Sequence, residues 1–234
     1  MAFNPTKCTV LRVRGNRQRQ NISYPYTLHG HKLDEDKSPK YLGVTFSDDL
    51  TWSNHIAGVA AKGQRTLGFA KRNFWQCPKP IRETVYKTLV RPVLEYACPV
   101  WDPHLQKDKI LLERVQRRAA RFAANNYQDR RPGSMTKLLR DLKWGTLEQR
   151  RNTISLQVFH KCHNHLIDIQ FPSNITKGDQ RTRGSNKYHQ CRCDTVQETN
   201  SFYHRTIRKW NLLPQNTRSA ETAEEFARLL ASQQ

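Results

Sequence analysis

The spacing of apolar residues changes near Trp52, and this change divides the chain into two kinds of local structure. Before Trp52, short β-branched runs such as 8–13 and 40–46 are separated by Gly, Pro, Asn and Asp, a pattern typical of strands. After it, apolar residues recur every three or four positions, as on an amphipathic helix. The sequence therefore predicts an α+β fold, in which a small antiparallel sheet precedes a mainly helical region.

Breaks in these two patterns predict four segments along the chain. Residues 1–50 form a β meander, 51–170 a helical region, 171–200 a basic and disordered linker, and 201–234 a C-terminal segment with a final helix. The predicted helices span about 53–76, 81–96, 108–126, 134–142, 146–166 and 223–231, and a short segment at about 201–210 precedes the last of them. Pro92 lies inside the second helix, and we expect a kink there because proline donates no backbone hydrogen bond.

The chain carries a large surplus of basic side chains, with 40 Lys and Arg against 20 Asp and Glu and a formal net charge of +20. Such a surplus attracts polyanions, because binding to a phosphate backbone releases condensed counterions. The alternatives are a soluble basic protein without such a partner and one that adheres to acidic membranes. Without a long apolar run or an apolar N-terminal signal, we predict a nuclear or cytoplasmic protein with reduced cysteines.

Seven short motifs follow one another along the chain. They are FNPTKC at 3–8, KYLGV at 40–44, LTWSNHI at 50–56, LVRPVLEYA at 89–97, VWDP at 100–103, VQRRAARF at 115–122 and WNLLP at 210–214. In this order they resemble the downstream half of reverse transcriptases (RNA-directed DNA polymerases) from jockey- and CR1-like non-LTR retrotransposons. The resemblance extends over nearly the whole chain.

The resemblance implies a palm remnant at 1–50, a thumb-like region at 51–170 and a template–primer of RNA and DNA as partner. The family's catalytic aspartates and their Mg²⁺ would lie upstream of Phe3, so we expect no catalytic residue, no cofactor and no polymerase activity in this chain. Asp48 and Asp49 are a weak exception, and a role at the start of a helix is the alternative for them. Two further alternatives are an incomplete gene model of a full polymerase with endonuclease, and a degraded element or interaction module.

Basic side chains on two predicted helices are the main candidates for binding nucleic acid. On the 108–126 helix the arginines fall on one stripe, and the alternative is a solvated face partly paired with Glu113 and Glu95. The family resemblance adds two residues of a region similar to the primer grip, of which Tyr41 has a core position as its alternative. The full set is Lys40, Tyr41, Lys62, Arg65, Lys71, Arg72, Arg114, Arg117, Arg118 and Arg121.

Cysteine and histidine near the C-terminus offer one weak metal candidate. Cys162 and His165 share a helical face, and Cys191 and Cys193 follow at a spacing that is unusual for zinc. These four residues would be the ligands of a zinc site, but incidental Cys and His are the favoured interpretation. We therefore predict no metal in this chain.

Overall fold

The strand and helix regions of the computed structural model meet near Trp52, where the apolar spacing changes. The structure describes residues 3–13, 24–129, 131–178 and 186–233. The strands are β1 (Thr9–Val10), β2 (Thr27–Leu28), β3 (His31–Lys32), β4 (Asp34–Glu35), β5 (Lys40–Tyr41) and β6 (Val44–Thr45). The helices are α1 (Ser53–Phe74), α2 (Lys79–Val85), α3 (Arg91–Glu95), α4 (Cys98–Trp101), α5 (Gln106–Ala124), α6 (Ser134–Asp141), α7 (Leu147–His163), α8 (Val196–Thr199), α9 (Phe202–Leu212), α10 (Gln215–Arg218) and α11 (Ala223–Ala231). This element order confirms the α+β class with a mainly helical region.

The strands form three separate pairs rather than the single antiparallel meander that we expected. Strands β2 and β3 pair antiparallel, as do β5 and β6, but β1 and β4 pair in parallel. Each strand has two residues, and most of their side chains are exposed. These strands have too few inward apolar side chains to bury one continuous sheet. Local turns decide the two antiparallel pairings, whereas β1 and β4 pair between distant segments. Residues 14–21, where the sequence predicts a hairpin loop, lie outside the described residues.

A first core forms where β6 and helices α1 to α6 pack together with the start of α7. Its fully buried members include Ile56, Leu67, Leu94 and Trp101. The helices approach closely at Gly63, where a Cβ atom would lie 2.6 Å from Cδ2 of Leu94. The close contact between α1 and α3 therefore requires glycine at this position.

Pro92 interrupts its helix as predicted, and the structure shows how. A π-helical turn (Tyr86–Val90) separates α2 from α3, and the backbone N–H of Arg91 donates to the carbonyl of Tyr86, five residues back. Pro92 has no N–H, so the usual bond to the carbonyl of Thr88 is not possible. The wider turn provides another hydrogen-bonding pattern before the proline.

A second core lies between the C-terminal half of α7, α9 and α11. Phe159, Trp210 and Phe226 are fully buried there, with Ile175 and Tyr188 beside them. These last two belong to the segment that we predicted as a disordered linker, whose residues 179–185 lie outside the described part. Two isolated apolar side chains create no periodic signal, so their burial was missed.

A buried ionic group joins the two cores. The carboxylate of Asp102, directly after α4, accepts a hydrogen bond from Nε of Arg151 at 2.7 Å. Nε of Arg205 on α9 lies 3.7 Å from the other carboxylate oxygen, and Nζ of Lys209 lies 4.0 Å from it. Arg151 is fully buried, so this carboxylate offsets charge that would otherwise be costly to desolvate.

Candidate nucleic-acid interface

Helices α1 and α5 lie side by side, and their polar sides border a basic cleft. Its volume is 300 Å³, and we call it the arginine cleft. It is lined by Gln64, Leu67, Gly68 and Lys71 from α1, Arg118 and Arg121 from α5, and Tyr127 beyond α5. The cleft forms because both helices turn their apolar stripes into the first core and leave their basic residues beside each other at its edge.

Positive charges lie close together in the arginine cleft. Partial burial, and then the nearby charge of Arg118, lower the pKa of Lys71. The ammonium of Lys71 lies 5.5 Å from the ring centroid of Tyr127, and Nη1 of Arg118 donates to Oε1 of Gln64 at 3.0 Å. Neutral groups therefore orient these cations without neutralising them, and an anion in the cleft would relieve their mutual repulsion.

The two acidic residues that were considered as partners of the arginine stripe, Glu113 and Glu95, contact other groups. Oε1 of Glu113 accepts backbone hydrogen bonds from Leu147 at 2.6 Å and Glu148 at 3.4 Å, so it caps the start of α7. The carboxylate of Glu95 pairs with Arg150. In the described part of the chain, no carboxylate lies within 4.0 Å of the four stripe arginines, and three of them are exposed. The alternative of a face paired with these two acids is therefore not what the structure shows.

A second cleft lies beside the β5–β6 hairpin. Its volume is 510 Å³, and we call it the hairpin cleft. Basic side chains from two elements line it, Lys40 from β5 and Lys62 and Arg65 from α1. Both Lys40 and Arg65 are exposed, so the cleft opens to solvent with a positive wall.

The hairpin is held in place by its turn. Leu42 and Gly43 both have positive φ, 46° and 84°, as a two-residue turn of type I′ requires. The hydroxyl of Tyr96 donates to the carbonyl of Leu42 at 2.9 Å, and a Cβ at Gly43 would lie 3.2 Å from the Tyr96 ring. Tyr41 is 67% exposed, which excludes the core position considered for it, whereas Val44 is buried.

The outward surface of α1 between the two clefts carries basic side chains and a glycine. At about 100° per residue, Arg65, Gly68 and Arg72 project between the sides that line the hairpin cleft and the arginine cleft. Gly68 has only the guanidinium of Arg72 within 4 Å of an added Cβ, at 3.6 Å. The two clefts therefore lie on opposite flanks of one helix, and Gly68 places no bulky side chain on the outward surface between them.

Sequence reasoning missed several residues at these clefts, including an amide, a phenol and an imidazole. Gln64 and Tyr127 line the arginine cleft, and His55 lines the hairpin cleft. Nδ1 of His55 accepts a hydrogen bond from the backbone N–H of Thr45 at 3.2 Å, and its Nε2 has no hydrogen-bond partner among the described residues. Burial, and then the charge of Lys40, lower the pKa of His55, so its imidazole is neutral near pH 7. Only contacts between distant segments place these residues, and no local pattern indicates them.

The acidic pair before α1 has a structural position. Oδ1 of Asp49 accepts hydrogen bonds from the hydroxyl of Ser47 at 2.7 Å and the backbone N–H of Thr51 at 2.9 Å. The bond from Ser47 is the main reason that the pKa of Asp49 is lowered. This carboxylate stabilises the turn that leads into α1.

The four cysteine and histidine residues considered for zinc do not come together. Cys162 is buried within α7, and His165 is exposed beyond its end. Among the described residues, one group of three Cys, His, Asp or Glu side chains has ligand atoms within 4.8 Å of one another. It contains Cys193 with Glu198 and His204. Cys193 is the one residue that this group shares with the four considered from the sequence.

Among the described residues, no helix is both long and apolar enough to cross a bilayer.

Comparison of the chain with models of protein families, with curated proteins and with solved structures finds no match.

Proposed function

We propose that this chain binds RNA and DNA without sequence preference, through α1, α5 and the β5–β6 hairpin. The observation that carries the proposal is the arginine cleft, in which Lys71, Arg118 and Arg121 converge without a neutralising acid among the described residues. The hairpin cleft adds a second basic surface on the opposite flank of the same helix. Two such surfaces would contact phosphates at separate positions along one strand.

The chemistry of the lining favours the phosphate backbone over the bases. Guanidinium groups make bidentate, charge-assisted hydrogen bonds to phosphate oxygens, and lysine adds a point charge. Exposed aromatic rings at Tyr41 and Tyr127 would stack on unpaired bases, an interaction that tolerates every base. Both kinds of contact predict affinity for single strands and duplexes with little dependence on sequence.

We further propose that the chain alone does not polymerise DNA. The adjacent pair Asp48 and Asp49 is the nearest candidate for holding Mg²⁺, and Asp49 is occupied by its own turn. The rival proposals are a full polymerase encoded by a longer gene and an element without function. A primer-extension assay on the purified chain distinguishes an enzyme from a binding protein. DNA synthesis that requires Mg²⁺ and is abolished by a chelator would support an enzyme.

Salt dependence of binding tests the proposed function. Fluorescence anisotropy with labelled oligonucleotides of unrelated sequence would measure the association constant from low to high ionic strength. We expect the logarithm of this constant to fall linearly with the logarithm of salt, by about 0.9 for each duplex phosphate contacted. An affinity that is independent of salt, or strong discrimination between sequences, would contradict the proposal.

A further inference from the structure

A second group of chemically reactive side chains lies far along the chain from the basic helices. Cys193 precedes α8, Glu198 lies within α8, and His204 lies in the first turn of α9. Their ligand atoms lie within 4.8 Å of one another, and all three side chains are partly buried. Cys193 and His204 also line a cavity of 180 Å³ at the edge of the second core.

His204 is oriented as a metal ligand would be. Its Nδ1 lies 2.9 Å from the hydroxyl of Ser201, the residue before α9. Its Nε2 is buried and has no hydrogen-bond partner among the described residues. When a histidine binds a metal through one ring nitrogen, its other nitrogen usually donates to an oxygen, which fixes the tautomer and the ring. Ser201 supplies such an oxygen, and in the tautomer in which Nδ1 donates to it the lone pair of Nε2 is free to bind a metal.

The other two side chains of the group, a carboxylate and a thiol, can supply anionic ligands beside this nitrogen. One carboxylate oxygen of Glu198 accepts a hydrogen bond from the backbone N–H of Asp194 at 3.2 Å, which orients the group. Sγ of Cys193 makes a long contact of 3.7 Å with the carbonyl of Cys191. Cys191 itself is engaged, because its thiol donates to the carbonyl of Asn174 at 3.0 Å.

We propose that Cys193, Glu198 and His204 bind one zinc ion, with water in the fourth position. A thiolate, a carboxylate and an imidazole are the ligand types that zinc takes in tetrahedral sites, and the two anionic groups balance its charge. Tetrahedral ligand atoms about 2.0–2.3 Å from zinc lie about 3.5 Å apart, so the three side chains would move closer by about 1 Å. The Cys193 thiol releases its proton to solvent when the metal binds.

Zinc at this position would act as a cross-link within the second core. It would attach the segment before α8, and α8 itself, to the first turn of α9, which packs against α7. The described part of this segment has little regular structure of its own, with one isolated bridge between Lys177 and Tyr188. Because metal binding to the folded state adds to its stability, zinc should raise the melting temperature of the chain.

Cobalt substitution tests the site directly in the full chain. After removal of metal with a chelator, titration with Co²⁺ should produce visible d–d bands of a tetrahedral ion and a thiolate-to-cobalt charge-transfer band, and one equivalent of Zn²⁺ should abolish both. The variants Cys193→Ser and His204→Ala should lose the charge-transfer band or weaken metal affinity by at least about tenfold. Cys77→Ser is the matched control, because this partly exposed cysteine lies between α1 and α2, away from α8 and α9.

Two measurements keep the result interpretable. Melting curves without metal establish that the variants fold, and Glu198→Gln gives a milder second test because it keeps the shape of the side chain. Absence of a charge-transfer band in the folded wild-type chain, or equal metal affinity in Cys193→Ser and wild type, would overturn the proposal. Nucleic-acid affinity should be the same in Cys193→Ser and wild type, so failure of the zinc site leaves the proposed function standing.

Discussion

The two cores of this molecule differ in the kinds of side chain that form them. The first core is mostly aliphatic, with a minority of buried rings such as Trp101 and Phe122, and its outer side carries the basic clefts. The second core is smaller and proportionally richer in aromatic rings, with Phe159, Trp210 and Phe226 packed against the buried imidazoles of His160 and His163. Under the proposed function these cores have different roles, since the first would present the binding surface and the second supports the C-terminal half. Each prediction below perturbs one side of this comparison.

The largest effect is expected where the two cores join. Asp102→Ala leaves the fully buried guanidinium of Arg151 without its carboxylate, and removing one partner of a buried pair costs about 3–5 kcal/mol of stability. Chemical denaturation measures this loss, and Asp141→Ala at the exposed end of α6 is the matched control. If both variants lost equally little stability, the ionic group would not couple the cores.

Acid should destabilise the second core more than the first. Burial lowers the pKa of His163 to about 4. Between about pH 6.5 and pH 4, this imidazole therefore binds a proton in the unfolded chain but not in the folded chain. The free energy of unfolding therefore falls as pH decreases from about 6.5 to about 4, by roughly 3 kcal/mol for this residue. The pKa of His160 is lowered too, again mainly by burial, and adds to the loss.

Hydrogen exchange at pH 7 and pH 5 would locate this loss. Amides of α9 and α11 should lose protection before those of α1 and α5. His163→Gln should flatten the pH dependence, since glutamine keeps a polar group near the hydroxyl of Tyr188, which lies 2.7 Å from Nδ1 of His163. Uniform loss of protection across both cores would contradict the assignment to the second core.

A smaller effect tests the packing of the first core. Gly63→Ala would place a Cβ against Leu94, and overpacking of this kind costs about 1–3 kcal/mol. Gly58→Ala on the same helix meets no atom within 4 Å and should stabilise by up to about 1 kcal/mol, because alanine is the better helix former. Thermal melts compare the two variants, and equal melting temperatures would show that α1 and α3 are less tightly packed than the structure indicates.

The sequence predicted the helices well and the connections poorly. The bounds of α1, α5, α6 and α11 lie within about two residues of the prediction, because each has a clear apolar period. The parallel pairing of β1 with β4 and the burial of Ile175 and Tyr188 depend on contacts between distant segments. No local preference encodes such contacts.

The candidate site divides in the same way. The basic stripes were visible in the sequence because they follow helical spacing, and their binding role stays a prediction. The two clefts were not visible, since each needs residues from more than one element, with Gln64 and Tyr127 in one and His55 in the other. Burial of His55 and its bond to Thr45 follow from packing of the hairpin on α1, which periodicity does not reveal.

Matched removal of charge from the two halves tests the central claim most directly. Arg118→Gln with Arg121→Gln removes two charges from the arginine cleft, and Lys161→Gln with Arg192→Gln removes two exposed charges beside the second core. Anisotropy titrations should show weaker binding and a salt slope reduced by about 2 for the cleft pair, with little change for the other. Equal losses for both pairs would mean that net charge alone binds nucleic acid, and would contradict a defined interface on α1 and α5.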